Sequence, residues 1–212
     1  MPKPEKASQS EQVRTLDEEV GVLRARDLAP KGIPRAVLKR LCNQGELIRV
    51  GRGLYVSTIG DITENHSLAA VARQVPTGVI CLLSALRFHG LTTQLPPDVW
   101  LAIPSQTRRP KGAAASIRPV HFSGRSLTAG VEEHTVEKVA VRVYCPAKTV
   151  ADCFKFRNKV GLDVAIEALR DCWQQRKAKA EELRRYARIC RVENIMRPYM
   201  ESLIWLRSSK SW

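Results

Sequence analysis

The sequence lacks any pair of cysteines at ribbon or redox spacing. Its six cysteines, at 42, 81, 145, 153, 172 and 190, sit mostly inside apolar patterns and never form CxxC. Neither a zinc ribbon nor a disulfide framework is therefore expected, and a reducing compartment fits. A long hydrophobic run is also missing. The longest runs, Val79 to Leu83 among them, fall far short of the ~20 residues that span a bilayer, and MPKPEKASQSEQ at the start has no apolar centre. Neither secretion nor membrane insertion is expected. There is no internal repeat, and GRG (51–53) and GLD (161–163) are too short to cradle phosphate.

Catalytic constellations are absent as well. His66, His89, His121 and His134 are widely spaced and form neither HxxxH nor HExxH, so no metal site is expected. His89, in RFHGL, suits a helix end where its ring bonds to nearby backbone. A Ser84–His89 nucleophile pair fails because a serine in an apolar helix normally bonds the carbonyl four residues back. Asp152, Asp163, Glu167 and Asp171 occur at helical spacings beside Lys and Arg, which reads as solvated ion pairs rather than a magnesium site. The expectation is a protein that is not an enzyme, with no catalytic residues, no metal and no cofactor.

Positive charge is what the sequence does have. Thirty-five Lys and Arg against twenty-one Asp and Glu leave +14 over 212 residues, with a pI near 9.9. Such an excess attracts a polyanion before any specific contact forms, nucleic acid first and an anionic membrane surface second. Hydrophobic residues make up 44%, enough for one large or two small cores.

After a polar start, SEQVRTLDEEVG predicts a helix with Val13, Leu16 and Val20 on one side, and a second short helix is expected within VLRARDLAPKG. IPRAVLKRLCNQG carries a start and a stop, Pro34 in the first turn and Gly45 after the last periodic residue. At about 100° per residue, Pro34, Val37, Leu38, Leu41 and Cys42 share one face, while Arg35, Lys39, Arg40 and Asn43 share the other. ELIRVGRGLYV follows as a hairpin with Arg52 at its tip, between two glycines that ease a tight reversal. Three helices and a hairpin are the order of a winged helix-turn-helix, whose third helix enters the major groove and whose wing lies along the backbone. No acidic residue interrupts positions 28 to 45. Exposed cations are common on any helix, so the competing reading is a scaffold.

Beyond Ser57, Asp61-Ile-Thr-Glu64 predicts a capping box opening a helix to about Gln74, and GVICLLSALRFHGL reads as a buried helix ending at Gly90. Strands are predicted at VWLAIP (99–104), IRPVHF (117–122) and VAVRVYC (139–145), with 105–116 as an exposed loop. Helices follow in AKTVADCFKFRNK, GLDVAIEALRDCWQQ and AEELRRYARICR, and VENIMRPYMESLIW closes the chain with Pro198 kinking or dividing it. The fold class is α+β: an N-terminal winged helix-turn-helix, then a mixed domain with a small β-sheet and several C-terminal helices. The expected organisation is a disordered N-terminus over 1–9, a DNA-binding domain over 10–57, an α+β domain over 58–206 and a tail over 207–212.

Residues 146–212 hold fifteen basic and eight acidic residues, leaving +7. Lys177, Arg184, Arg188 and Arg191 fall along one helical stripe with Arg185 beside it. The stripe is either a solvated face or a second polyanion contact, for flanking DNA or an RNA-related target.

Three blocks in order, PRAVLKRLCNQGELIRVGRGLYV, CLLSALRFHGLTTQLPPDVWLAIP and VRVYCPAKTVADCFKFRNKVG, resemble the AbiEi antitoxin family of bacterial type IV toxin-antitoxin systems. The likeness covers roughly residues 10 to 203, and the Ser-Ala-Leu...His-Gly-Leu block between wing and sheet is its most specific part. The resemblance implies an N-terminal winged helix that binds promoter repeats and represses its own operon. It further implies a C-terminal antitoxin domain and a neighbouring nucleotidyltransferase-like toxin, countered without a stable complex being required. The bacterial cytoplasm, associated with the nucleoid, is the implied location. Arg35, Lys39, Arg40 and Asn43 on the recognition helix and Arg49 and Arg52 on the wing inherit the role of facing double-stranded operator DNA. From side-chain chemistry, Arg35 and Asn43 suit bases, whereas Lys39, Arg40 and Arg52 suit phosphates. The alternative is an RNA-binding or protein-interaction module that keeps the winged helix as scaffold.

Overall fold

The computed structural model describes residues 8–58, 63–107 and 115–208, with side chains described through 203. Asp61 and Ile62 of the expected capping box, residues 108–114 of the expected loop and the tail from 209 lie outside the described residues. The chain divides into two compact units. One comprises residues 1–76, 110–116 and 135–141; the other comprises 77–109, 117–134 and 142–212.

The first unit opens with α1, Gln9–Val20, begun by a reciprocal capping box. Ser8 Oγ accepts from the Glu11 N–H at 3.2 Å, and the Glu11 carboxylate accepts from the Ser8 N–H at 2.8 Å. Val13 and Leu16 are buried, as the periodicity requires. The second helix expected in residues 22–32 does not form. Leu23–Arg24 is instead a short strand, β1, and Ala29–Lys31 is a single 3-10 turn. Pairing explains the first, because β1 runs antiparallel to β3 (Leu54–Ser57). Pro30 and the left-handed Gly32 explain the brevity of the second.

Helix α2, Ala36–Asn43, buries Val37, Leu38 and Leu41, while Pro34 stays exposed before it. It ends in two nested backbone bonds, Glu46 N–H to Leu41 C=O at 3.0 Å and Gly45 N–H to Cys42 C=O at 3.1 Å. That closure needs a left-handed residue at 45, where glycine sits with φ 74°. Strand β2, Leu47–Gly51, pairs with β3 across a bulge between Arg49 and Gly51, and the sheet order is β1-β3-β2. Gly51 and Leu54 pair directly, so the reversal consists of Arg52 and Gly53 alone, and only Gly53 takes a positive φ, 71°.

Helix α3, His66–Gln74, starts later than the predicted capping box and has no side-chain cap at Asn65. Glu137 holds its start instead. Its carboxylate accepts from the Thr63 N–H at 2.7 Å and the Thr63 hydroxyl at 2.8 Å, and pairs with His66 Nδ1 at 2.7 Å. At its far end Arg73 pairs with Asp27 at 2.5 Å and donates to the Val22 carbonyl at 2.9 Å.

The second unit is built on a sheet of order β6-β5-β4-β8-β7. Its strands are β4 (Val79–Ile80), β5 (Val99–Pro104), β6 (Ile117–Phe122), β7 (Val131–Val136) and β8 (Val139–Tyr144). β4 runs antiparallel to β5 and parallel to β8, and β5 runs parallel to β6. The predicted strands at 99–104 and 117–122 form with those bounds. The apolar run from Gly78 divides into β4 and a seven-residue helix, α4 (Leu82–Phe88), because Val79 and Ile80 are drawn into the sheet. Glu137 and Lys138, both at positive φ, turn β7 into β8 and cluster with the first unit.

Short helix α5 (Arg125–Thr128) precedes β7; helices α6 (Pro146–Lys155), α7 (Arg157–Val160), α8 (Leu162–Gln174), α9 (Ala180–Cys190) and α10 (Glu193–Ser208) follow β8. Pro146 occupies the first turn of α6, where its missing N–H is harmless. Pro198 lies within α10 without dividing it. Helix α6 is the central element, with every residue from Ala147 to Phe154 buried and α4, α8 and α9 packed around it.

The expectation that Asp152 is a solvated carboxylate is wrong. Asp152 and Lys148 are fully buried one turn apart on α6, with Nζ–Oδ2 at 2.6 Å. Cys190 donates its thiol to the other carboxylate oxygen at 3.2 Å, and the ammonium lies 4.1 Å from the Tyr144 ring centre. Burial pushes the Asp152 carboxyl up and the Lys148 charge opposes it. Both side chains are closed to solvent, so the ion pair is their main compensation.

Ser84 bonds differently from the predicted carbonyl four residues back. Its oxygen accepts from the Trp100 N–H at 2.9 Å, fastening α4 to β5. His89 does end a helix with its ring on backbone, since Nε2 lies 2.7 Å from the Tyr144 carbonyl, and burial lowers its pKa. The Ser84...His89 block is thus architecture: one member joins a helix to a strand and the other joins it to the end of β8.

Candidate nucleic-acid interface

Arg35, Lys39, Arg40, Asn43, Arg49 and Arg52 are all exposed. Arg35, Lys39 and Asn43 follow at i, i+4 and i+8, forming one stripe along α2 opposite buried Val37, Leu38 and Leu41. The eight residues of α2 extend about 12 Å, comparable with the width of a B-DNA major groove. Arg40 is turned aside, its guanidinium donating to Ser10 Oγ at 2.7 Å. Arg49 folds back on the hairpin, Nε to the Gly51 carbonyl at 3.2 Å. Among the described residues, none holds the side chain of Arg35, Lys39, Asn43 or Arg52.

The acidic side chain nearest in sequence, Glu46, stands between α2 and β2 and is neutralised. Arg14 grips it through Nε and a terminal nitrogen at 2.9 and 3.0 Å, and that hydrogen bonding lowers the Glu46 pKa. The helix and hairpin thus present one sign of charge. Sequence reasoning passed over two neighbours. Exposed Arg26 adjoins the hairpin tip, because the Ala25 N–H donates to the Gly53 carbonyl at 2.9 Å. Ile48, 50% exposed, leaves an apolar side chain on β2 beside Arg49. The Arg-Ala-Arg run at 24–26 was the available signal for the first, but only Arg26 faces solvent, since Arg24 is buried.

A second feature of this unit bears on its stability. Asp17, in the last turn of α1, has one carboxylate oxygen buried without a partner, and burial pushes its pKa up to about 6. Because the folded value lies above the unfolded one, ionisation opposes folding. This group's contribution is most favourable at low pH and is lost as pH rises through about 6. Asp17→Asn is expected to raise stability by about 1 to 2 kcal/mol at pH 7, after allowance for partial exposure, and by almost nothing near pH 4. Urea melts at the two pH values check this; an equal effect at both would show that ionisation is not the cause.

The other predicted basic set is less uniform than a stripe. Lys177 lies in the loop before α9 and donates to the His89 carbonyl. Arg184 and Arg188 share a face of α9, but Arg188 pairs with Glu193 at 2.9 Å. Arg185 stacks toward the Tyr186 ring at 5.5 Å, and Arg191 is the left-handed residue capping the helix. The structure brings Arg188 and Arg191 to one cleft with Arg125 and Lys155, and leaves the others outside it.

Residues 11–58, the stretch that carries most of α1 together with α2 and the hairpin, match the family described as transcriptional regulator, AbiEi antitoxin. The resemblance drawn from the sequence blocks is therefore shown over that segment, whereas the blocks at 81–104 and 141–161 lie outside the matched residues. The family is one of regulatory antitoxins rather than of enzymes. Among solved structures, the RV2827C protein from Mycobacterium tuberculosis superposes with a TM-score of 0.60 at 15% identity, over 84% of this chain and 70% of that one. At that identity the likeness is one of fold. No curated protein matches the sequence. Among the described residues, no helix is long and apolar enough to cross a membrane, and no cluster of side chains could hold a metal ion.

Proposed function

We propose that this protein is a DNA-binding antitoxin that represses its own operon and counteracts a nucleotidyltransferase-like toxin. Its first unit is a winged helix-turn-helix in which a 3-10 turn replaces the second helix. Helix α2 enters the major groove, and the β2–β3 hairpin lies along the phosphate backbone. One observation carries the reading: a stripe of Arg35, Lys39 and Asn43, unpaired among the described residues, stands directly before a hairpin tipped by Arg52, with no acidic residue from 28 to 45. The match to a family of transcriptional regulators covers the same residues.

Arg35 and Asn43 suit guanine and adenine edges, whereas Lys39, Arg40 and Arg52 suit phosphates. Binding a duplex that carries the repeats of its own promoter better than a scrambled duplex tests the repressor function directly. With about five phosphate contacts, affinity is expected to fall a few hundredfold between ~50 and ~200 mM salt. A nearly flat salt response, measured by fluorescence anisotropy, would refute this interface.

A further inference from the structure

In the second unit a cleft of about 640 Å³ opens between the start of α5 with the residues just before it, the end of α6 and the end of α9. Arg125, Lys155, Arg188 and Arg191 line it with Ser123 and Ser126, and no carboxylate does. Glu193 offsets Arg188 from outside. Among the described residues, no acidic side chain pairs with Arg125, Lys155 or Arg191. Arg125 and Arg191 therefore face the concavity uncompensated, and Lys155 adds a third cation there, since the buried Asp152 carboxylate that it feels is already paired by Lys148.

Ser126 is buried. Its hydroxyl donates to the Ile189 carbonyl at 3.3 Å, which leaves its oxygen to accept from Lys155 Nζ at 3.4 Å. The lysine ammonium thereby lies at the cleft wall. Like charges gathered in this way repel one another unless an anion occupies the space between them.

The volume falls within the range of small-molecule sites and exceeds what a single phosphate needs. A concavity of this size does not admit the convex cylinder of a duplex, and the charge of +3 matches a phosphate chain better than one phosphate. Guanidinium forks suit such oxygens bidentately. We propose that the cleft binds a di- or triphosphate group, carried either by a free nucleotide or by the 5′ end of an RNA. The site shares no residue with α2 or the hairpin, so it stands whether or not the first unit binds an operator.

Titration calorimetry of the full chain with inorganic tripolyphosphate at ~150 mM salt tests the proposal. One site of micromolar affinity is expected. Arg125→Gln and Arg191→Gln should each weaken it about tenfold, and together abolish it, with thermal unfolding unchanged because both side chains are exposed. Arg35→Ala with Lys39→Ala should leave it intact. Competition by a nucleoside triphosphate but not by 5′-triphosphorylated RNA identifies a free nucleotide as the source, and the converse identifies an RNA end. Absence of saturable binding, binding that survives the Arg125→Gln, Arg191→Gln double variant, or a site that only duplex DNA fills overturns the proposal.

Discussion

Lys148→Met is expected to destabilise the protein by about 3 to 5 kcal/mol, a large part of the stability of an ordinary domain. The substitution leaves the Asp152 carboxylate fully buried with, among the described residues, only the Cys190 thiol at 3.2 Å to bond it. Burial already raises the Asp152 pKa against the pull of Lys148, and removing the ammonium raises it further. A carboxyl whose folded pKa exceeds its unfolded one stabilises less as pH rises, so the deficit should be smaller at pH 5 than at pH 7.5. Adding Asp152→Asn removes the orphaned charge and should restore a large part of the loss. Denaturant midpoints of the two variants at both pH values check this. A single variant as stable as the parent would mean that the pair is not buried in solution.

Replacing Arg35, Lys39 and Arg52 together by alanine should reduce operator affinity by at least about 100-fold, since three charge-assisted contacts are lost at roughly 1 kcal/mol or more each. All three side chains are exposed and unpaired among the described residues, so the thermal midpoint should not move. Intact binding with an intact fold would remove the major-groove reading and leave an RNA-binding or protein-interaction module on the same scaffold. Arg52→Ala alone separates the two parts of the interface. A residue at the hairpin tip that touches phosphate should weaken all duplexes about equally and leave the order of preference among operators unchanged. An altered order in a competition assay would show that the hairpin reads bases or groove shape.

The exposed basic face of α2 was legible because its signals are local. A 3.6-residue period separates Val37, Leu38 and Leu41 from Arg35, Lys39 and Asn43, and the structure buries the first group and exposes the second. Pro34 and Gly45 bracket α2 for reasons contained in their own backbone preferences. The predicted helix at 22–32 failed because β1 exists only through its pairing with β3, some thirty residues away. Two-residue β4 is equally invisible inside an apolar run that reads as helix throughout. Strand β7, with its polar sequence VEEHTV, carries no buried alternation to reveal it.

The partners of individual charges were not legible for the same reason. Nothing near Arg40 in the sequence announces Ser10, and nothing near Asp152 distinguishes its buried pair with Lys148 from a solvated one at the same spacing. The cleft gathers residues 123–126 at the start of α5, the end of α6 and the end of α9, segments that share no motif.

The sequence by itself determined the basic character of the protein, the exposed cationic face of α2, the hairpin that follows it and the helical C-terminal half. These depend on composition, backbone preference and periodicity, all of which act over a few residues. Tertiary structure decided which cations remain free, which carboxylate is buried and where separate segments meet, because burial and pairing are set by whichever distant element packs against a face once the chain has folded.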